Sequence, residues 1–483
     1  MTPTIPDPAD RYEHPLVERY ASARMVALFT PATRFRLWRR LWIALAEAQR
    51  ALGLPISAAQ IQALKQYAHT LNLAVARKIE REVRHDVMAQ VLAYGKQARA
   101  AAGIIHLGAT SCYVTDNADL IIYRDALRLI SDRLSDVIRV LAAFARRERQ
   151  RPTLGYTHLQ PAQLTTVGKR ACLWLQDLQR DFEWVQFCLG RLPFLGAKGA
   201  TGTQASFLTL FHGEHAKVER LDRMVAAAFG FAECVPVSGQ TYPRKLDAEL
   251  VSCLANIAAS AGKLTNDIRY LQRVGELEEP FSRTQIGSSA MAYKRNPMRS
   301  ERAASLARFV LSLSTSPNLT AAAQFLERTL DDSANRRLVL PEAFLATDAI
   351  LLLLQDICAG VVVYPRVIAR RIQEALPILA TETLLMRAVE RGNDRQIVHE
   401  RLRQHAMAAT ERVRAGGDND LLARIAADPA IGLSAAEIAQ ELDPRRFVGR
   451  APEQTSAFLA RVIRPLLRRY RRFHPADGAG VTC

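Results

Sequence analysis

Five long windows of this chain carry apolar side chains at the three- and four-residue spacing of a helix face. The first runs through Leu127, Ile130, Leu134, Val137, Leu141 and Phe144 within residues 119–149, with Thr115 or Asp116 expected to cap its start. The second follows Pro161 and reads Leu164, Val167, Ala171, Leu175, Leu178, Phe182, Val185, Leu189. The third reads Leu246, Leu250, Cys253, Ile257, Ala261, Leu264, Ile268, Leu271. The fourth begins near Ser300 and continues through Ala304, Leu306, Phe309 and Leu313; the fifth covers residues 341–363. Strict alternation of the strand type is nearly absent. Windows of this length far exceed the globular mean of about 11–12 residues per helix. Such helices need partners along their whole length, which predicts a bundle.

The pattern divides the chain into three sections. Residues 1–111 hold shorter helical stretches, 112–364 hold the long stripes, and 365–483 return to short helices after Pro365. Turn signals at residues 416–421 and 428–434 punctuate the last section. No repeat of fixed period is present. The expected architecture is all-α with three domains. Two small flanking sections cannot cover the central helices, so association of copies through the bundle is expected. Residues 344–364 are the most apolar stretch, yet Asp348 and Asp356 interrupt it, so it reads as a buried core helix and not a membrane span.

Composition adds a charge problem. The chain has 483 residues, 65 Lys+Arg against 48 Asp+Glu, and a formal charge of +17, so a polyanionic partner enters the picture. Nucleic acid, an anionic surface, a small anionic substrate and a solvated Arg face are all compatible with that number. The seven cysteines are odd in number and form no CxxC, which reads as reduced thiols in a cytoplasmic setting. The start, MTPTIPDPADRYEHP, has early acids and prolines and no apolar core, unlike a secretory or transit segment.

The stretch from Gln285 to Arg302, QIGSSAMAYKRNPMRSER, carries the most chemistry. Gly287, Ser288 and Ser289 offer a small-residue turn with exposed N–H groups suited to an anion. Lys294, Arg295, Arg299 and Arg302 add positive charge, and Asn296-Pro297 closes the segment. A generic basic loop would be a solvated connection; small hydroxyls, cations and a Pro stop together favour function. His158 lies in the connection RPTLGYTHLQPAQ, at one end of the expected bundle, and histidine titrates near physiological pH. RHDVMA places Arg84, His85 and Asp86 in succession, which alone equals an ordinary helix start. HLGATS is a turn with two hydroxyls, and in ERTLDDSANRR Ser333 and Arg337 can share a helix face beside Arg328, as a phosphate requires. HGEH, at His212 and His215, lacks a second ligand cluster, so no metal site is expected. Dinucleotide, phosphate-loop and nucleophile-elbow motifs are missing.

These segments resemble the adenylosuccinate lyase family of the fumarase/aspartase superfamily. GSSAMAYKRNPMRSE resembles the superfamily's signature loop, and RYAS, RHDVMA, GIIHLGATSCYVTDN, THLQPAQLTTVGKR, KGATGTQASF, GQTYPRK, ERTLDDSANRR and VVVYP follow the family's order from about Arg19 to Arg450. The wording is closest to the animal-type enzymes. The resemblance implies an all-α, three-domain lyase fold whose long helices build the core of a homotetramer. Each active site would then draw on three subunits. It implies β-elimination of fumarate from adenylosuccinate, giving AMP, and from the succinyl-carboxamide imidazole ribotide of purine synthesis, with no metal or organic cofactor.

By the same resemblance Ser288 is the base, His158 the acid, Lys294 and Asn296 hold succinyl carboxylates, and His85 assists near the phosphate. Further substrate contacts carry over onto Arg19, Tyr20, Arg84, Asp86, Thr110, Ser111, Thr157, Gln240, Arg302, Arg328, Ser333 and Arg337. Arg suits this role because its planar fork matches carboxylate and phosphate oxygens. One departure stands out: the family has Pro after the loop's Met, and this chain has Ala292.

Argininosuccinate lyase is the neighbouring alternative, which YKRNPMRSER and ERTLDDSANRR disfavour. A non-catalytic protein on a lyase fold is disfavoured by the presence of Ser288, His158 and Lys294. A nucleic-acid binder would show aromatics interleaved with basic residues, and none appear. The charge then has two parts: cations facing an anionic nucleotide, and a tail beyond Pro444 with nine Arg against Glu453 and Asp477, read as a solvated face.

Overall fold

The computed structural model describes residues 12–474. Most of the MTPTIPDPADRYEHP segment, together with Asp477 and Cys483, lies outside the described residues.

Helix α1 (Pro31–Ala51) opens on Thr30, whose hydroxyl accepts from Thr33 N–H, with Pro31 in the first turn where its missing donor costs nothing. Its buried stripe of Trp38, Leu41, Trp42 and Leu45 packs on the bundle. Two further helices, α2 (Leu73–Val83) and α3 (Asp86–Gln97), meet at a sharp corner.

The bundle consists of α4 (Ser111–Arg147), α5 (Val167–Arg191), α6 (Lys245–Arg273), α7 (Met298–Leu313) and α8 (Asp332–Gly360). Helix α4 packs on α5 and α8, and α6 packs on α5, α7 and α8. At 1.5 Å per residue α4 is about 55 Å long, so its two ends serve different places in the molecule.

Several expectations are corrected. Helix α4 begins at Ser111, with Thr110 at the cap position and no side-chain capping bond. Asp116 is therefore not a cap; it sits inside the helix, 1% exposed, bonded to Arg244. The connection after α4 is a hairpin, β1 (Pro152–Thr157) against β2 (Gln160–Thr166), so Leu164 belongs to a strand and α5 starts three residues later. Strands of six and seven residues are too short for alternation to outweigh the helical windows on either side. The fifth stripe starts at Asp332, nine residues before Pro341, which lies inside α8. Helix α8 is long and apolar enough to cross a membrane, and 72% of its most apolar window is buried among its neighbours.

After α8, β4 (Val362–Val363) pairs with β3 (Leu277–Glu278), tying the exit of α8 to the exit of α6. The largest apolar core runs from Leu16 to Ile463 and includes the helices at residues 451–469. A separate cluster joins Ala380, Leu384, Val398, Leu402, Ile425 and Ile438. The six described cysteines are all free.

Candidate active site

A cavity of ≈ 750 Å³ opens at the starts of α4 and α8, and it collects Arg84, His85, Asp86, Ser111, Gln240, Arg328, Ser333 and Arg337. The α2–α3 corner shapes its rim. Arg84 closes α2 in the left-handed conformation (φ 51°), and the next residue, His85, is extended and caps α3. Its Nδ1 accepts from Met88 N–H at 3.3 Å, which leaves the ring proton of neutral His85 on Nε2, 3.4 Å from Ser111 Oγ. Asp86 accepts from Arg337 Nη2 at 3.3 Å, joining the corner to α8. Gln240 is fixed by its own N–H to Glu327 O at 3.0 Å, which places Arg328 beside it.

Beneath the cavity runs a ladder of alternating charge. Arg328 bonds Asp332 at 2.7 Å, Asp332 accepts from Arg244 Nε at 2.6 Å, and Arg244 reaches Asp116 at 2.9 Å. A parallel rung joins Arg336 to Asp247 at 2.6 Å and to Asp119 at 3.2 Å. Burial alone would raise the Asp332 carboxyl, but Arg244 and then Arg328 outweigh it and hold the group below the usual range. The ladder holds Arg328 in place at the cavity wall.

Behind the rim, Trp42 Nε1 donates to His106 Nδ1 at 2.9 Å. Burial, with a lesser contribution from His85, pushes the His106 imidazole down from 6.5 to about 4. The unfolded chain therefore binds this proton first as pH falls. Stability from this site is fully present above pH 6.5 and is lost progressively down to about 4, by about 3 kcal/mol. Denaturant titrations at pH 7 and 4.5 should give a smaller gap for His106→Gln than for the parent; an equal gap would contradict this assignment.

The other residues gather at the opposite end of the bundle. The β1–β2 hairpin turns through His158 (φ 52°) and Leu159 (φ 59°), a two-residue turn of the kind that ordinarily needs Gly or Asn. Two non-glycine residues in this region carry strain of order 1–3 kcal/mol each, and residues 157–161 are exposed throughout. The hairpin is anchored by the buried Glu276, which accepts from Thr153 at 3.0 Å, Tyr156 at 2.8 Å and Arg371 at 3.0 Å.

The loop of residues 281–297 leaves the same end. Ser288 Oγ accepts from Met291 N–H at 3.1 Å and from Ala290 N–H at 3.3 Å. Asn296 donates to Gly287 O at 2.7 Å and so staples the base of the loop. A Cβ at Gly287 would lie 2.0 Å from Lys294 O, so only glycine permits this closure. Lys294 makes no side-chain hydrogen bond or ion pair among the described residues, and Tyr293 and Ile286 are 83% and 77% exposed. Ala292 occupies the second position of a turn closed by Lys294 N–H to Met291 O at 3.1 Å, a position that favours Pro. Ala292→Pro is expected to steady the loop by about 0.4–1 kcal/mol and slow its proteolysis. Unchanged turnover together with unchanged cleavage would refute this reading of Ala292.

The two groups do not meet within one chain. Arg299 pairs with Asp356 at 2.6 Å, which fixes the end of the loop near the exit of α8. Asp356 stands 23 residues beyond Ser333 on that helix, about 35 Å away. A third group sits between them: Arg302 lies 5.6 Å over the Tyr20 ring, Arg19 is exposed beside it, and Ser22 N–H bonds Asp348 at 2.7 Å. Thr110 only precedes the first turn of α4. His212 and His215 join no group of three or more metal-binding side chains among the described residues. Sequence reading missed Arg244, Asp116, Asp332 and Asp119. Their signal is an ionisable residue on an otherwise apolar face, which burial obliges to find a partner.

The fold matches solved lyase-type structures. It superposes on a fumarate lyase from Mesorhizobium sp. BNC1 with a TM-score of 0.80 at 24% identity, covering 93% of this chain and 100% of the other. It also superposes on a 3-carboxy-cis,cis-muconate lactonizing enzyme from Pseudomonas putida with a TM-score of 0.82 at 23% identity, covering 94% and 99%. A family model described as lyase matches residues 21–311, so the class is that of the all-α lyases. A second model, adenylosuccinate lyase C-terminus, matches residues 377–458. The adenylosuccinate lyase of Saccharomyces cerevisiae is 48% identical over 96% of this chain and 97% of its own length. That of Schizosaccharomyces pombe is 50% identical over 93% and 94%, and that of Schistosoma mansoni 46% over 96% and 98%. The chain belongs to the adenylosuccinate lyase family.

Proposed function

We propose that this chain is a C–N lyase that eliminates fumarate from adenylosuccinate, leaving AMP, and from the succinylated carboxamide imidazole ribotide, and that it does so as a cytoplasmic homotetramer with shared sites. The observation that carries the catalytic reading is the pair of backbone N–H groups directed at Ser288 Oγ. Elimination needs a base for the proton beside a carboxylate, charge stabilisation for the carbanion, and an acid for the departing nitrogen. A serine hydroxyl is a base only as alkoxide, and two oriented N–H donors favour that charge before reaction begins. Lys294, whose side chain has no partner among the described residues, adds positive charge when the loop closes on substrate. His158 supplies the proton to nitrogen from a strained, exposed turn. Arg84, Arg328 and Arg337 meet the phosphate, with Ser111, Ser333 and Gln240 as hydroxyl and amide partners.

The separation of about 35 Å supports shared sites. An antiparallel neighbour would lay its loop and hairpin end against this chain's cavity end. Exposed apolar residues on α5, Leu173, Trp184 and Phe187, provide a face for such contact. Free cysteines suit a reducing compartment. The discriminating experiment follows absorbance on adenylosuccinate and on argininosuccinate: turnover of the first alone supports the reading, and turnover of the second alone overturns it.

A further inference from the structure

A hollow of ≈ 270 Å³ lies between α4 and the helical segment of residues 459–469, and none of the residues of the groups above lines it. Its floor is apolar, with Ala142, Leu459 and Ile463 at 6%, 5% and 2% exposure. Its walls are four arginines. Arg139 and Arg146 stand two turns apart on α4, about 10 Å along its axis. Arg464 and Arg468 stand one turn apart, about 6 Å, on the facing helix. None of the four side chains has a carboxylate partner among the described residues, and all are exposed.

Some neighbouring arginines differ. Arg147 pairs with Glu148 at 3.0 Å, and Arg472 grips Asp136 at 2.5 and 2.8 Å. Arg149, Arg461 and Arg469 also lack a carboxylate partner among the described residues, so what sets the four apart is that they border one concavity. Solvated arginines ordinarily diverge from a convex helix; these four border one concavity from positions more than 300 residues apart in sequence. A bound anion would relieve their mutual repulsion, and guanidinium forks suit phosphate oxygens bidentately.

We propose that this hollow is a second anion site, distinct from the catalytic cleft, which takes the phosphate chain of a compact polyphosphate. The small volume excludes a nucleic-acid duplex, and no aromatic lines it for single-stranded bases. The chain could come from an inorganic polyphosphate or from a nucleoside triphosphate. The chemistry recognised is the same: several adjacent phosphate charges over an apolar floor.

The test uses calorimetric titration of the full chain at low salt with inorganic tripolyphosphate and, in a second arm, with ATP. The expected result is one tripolyphosphate per chain, retained in Arg337→Gln and in Arg461→Gln. Arg461 is an exposed arginine outside the hollow. Arg139→Gln/Arg464→Gln should weaken binding about a hundredfold, about tenfold per lost charge-assisted contact. Arg468→Gln should weaken it about tenfold and serves if the double variant fails to fold. Tighter binding of ATP than tripolyphosphate assigns a nucleoside source; equal or weaker binding assigns the inorganic chain. Undiminished affinity in the hollow variants overturns the proposal. So does equal weakening in Arg461→Gln, which would mean diffuse surface charge, or loss in Arg337→Gln, which would mean the catalytic cleft. Retention of an RNA oligonucleotide with no tripolyphosphate binding also overturns it.

Discussion

Ser288→Ala is expected to lower fumarate release by about 10²–10⁴-fold, the range for removing a positioned base. The thermal midpoint should stay unchanged. Ser288 is half-buried, its two bonds are local to the loop, and no hydrogen bond joins its hydroxyl to the bundle among the described residues. Gly287, Lys294 and Asn296 would still hold the base of the loop closed. The loss should therefore appear in kcat, because Oγ acts on the proton in flight and does not bind the phosphate. Stopped absorbance assays with matched melting curves check both halves. Near-parental turnover would remove Ser288 from the mechanism, and a collapsed melting curve would make its role structural.

Arg244→Gln should have the largest effect on stability. Arg244 is 4% exposed, and its carboxylate partners Asp116 and Asp332 are 1% and 0% exposed. Removing the cation leaves two buried anions without their shared partner, at a cost of about 3–5 kcal/mol. Arg328 then inherits the whole of Asp332, so substrate KM should also rise. Arg337→Gln is the contrast: its side chain is 57% exposed, and its ion pair with Asp86 contributes within about 0.5 kcal/mol. Denaturant midpoints for the two variants separate the buried ladder from the open rim. Equal midpoints would show that the ladder does not hold the fold.

The helical spacing of apolar residues foretells α4, α5, α6, α7 and α8 because each buries a continuous apolar face against its neighbours. It misplaces their ends. Ser111 and Asp332 start helices several residues early because polar residues there face the cleft or the ion ladder and interrupt the apolar stripe. The hairpin was hidden because its two strands are short and its turn uses His158-Leu159 where Asn-Gly would have announced it. At the site, motif wording identified Arg84, His85, Asp86, Arg328 and Ser333, which share one cavity. It also named Gln240 yet passed over Arg244 four residues on. Pairing of Arg244 with Asp116 and Asp332 spans 128 and 88 residues, and no local pattern reveals such contacts. Nor does sequence reveal that Ser288 and Ser333 lie at opposite ends of one bundle.

That separation is the central claim, and subunit complementation tests it most directly. Ser288→Ala and His85→Ala chains, each strongly impaired alone, are mixed, dissociated and reassembled. If each site takes Ser288 from one chain and His85 from another, roughly a quarter of the sites in a random equal mixture receive both intact residues. Recovery of that share of fumarate release is the predicted result. A reassembled oligomer of normal size with no recovered activity would contradict it.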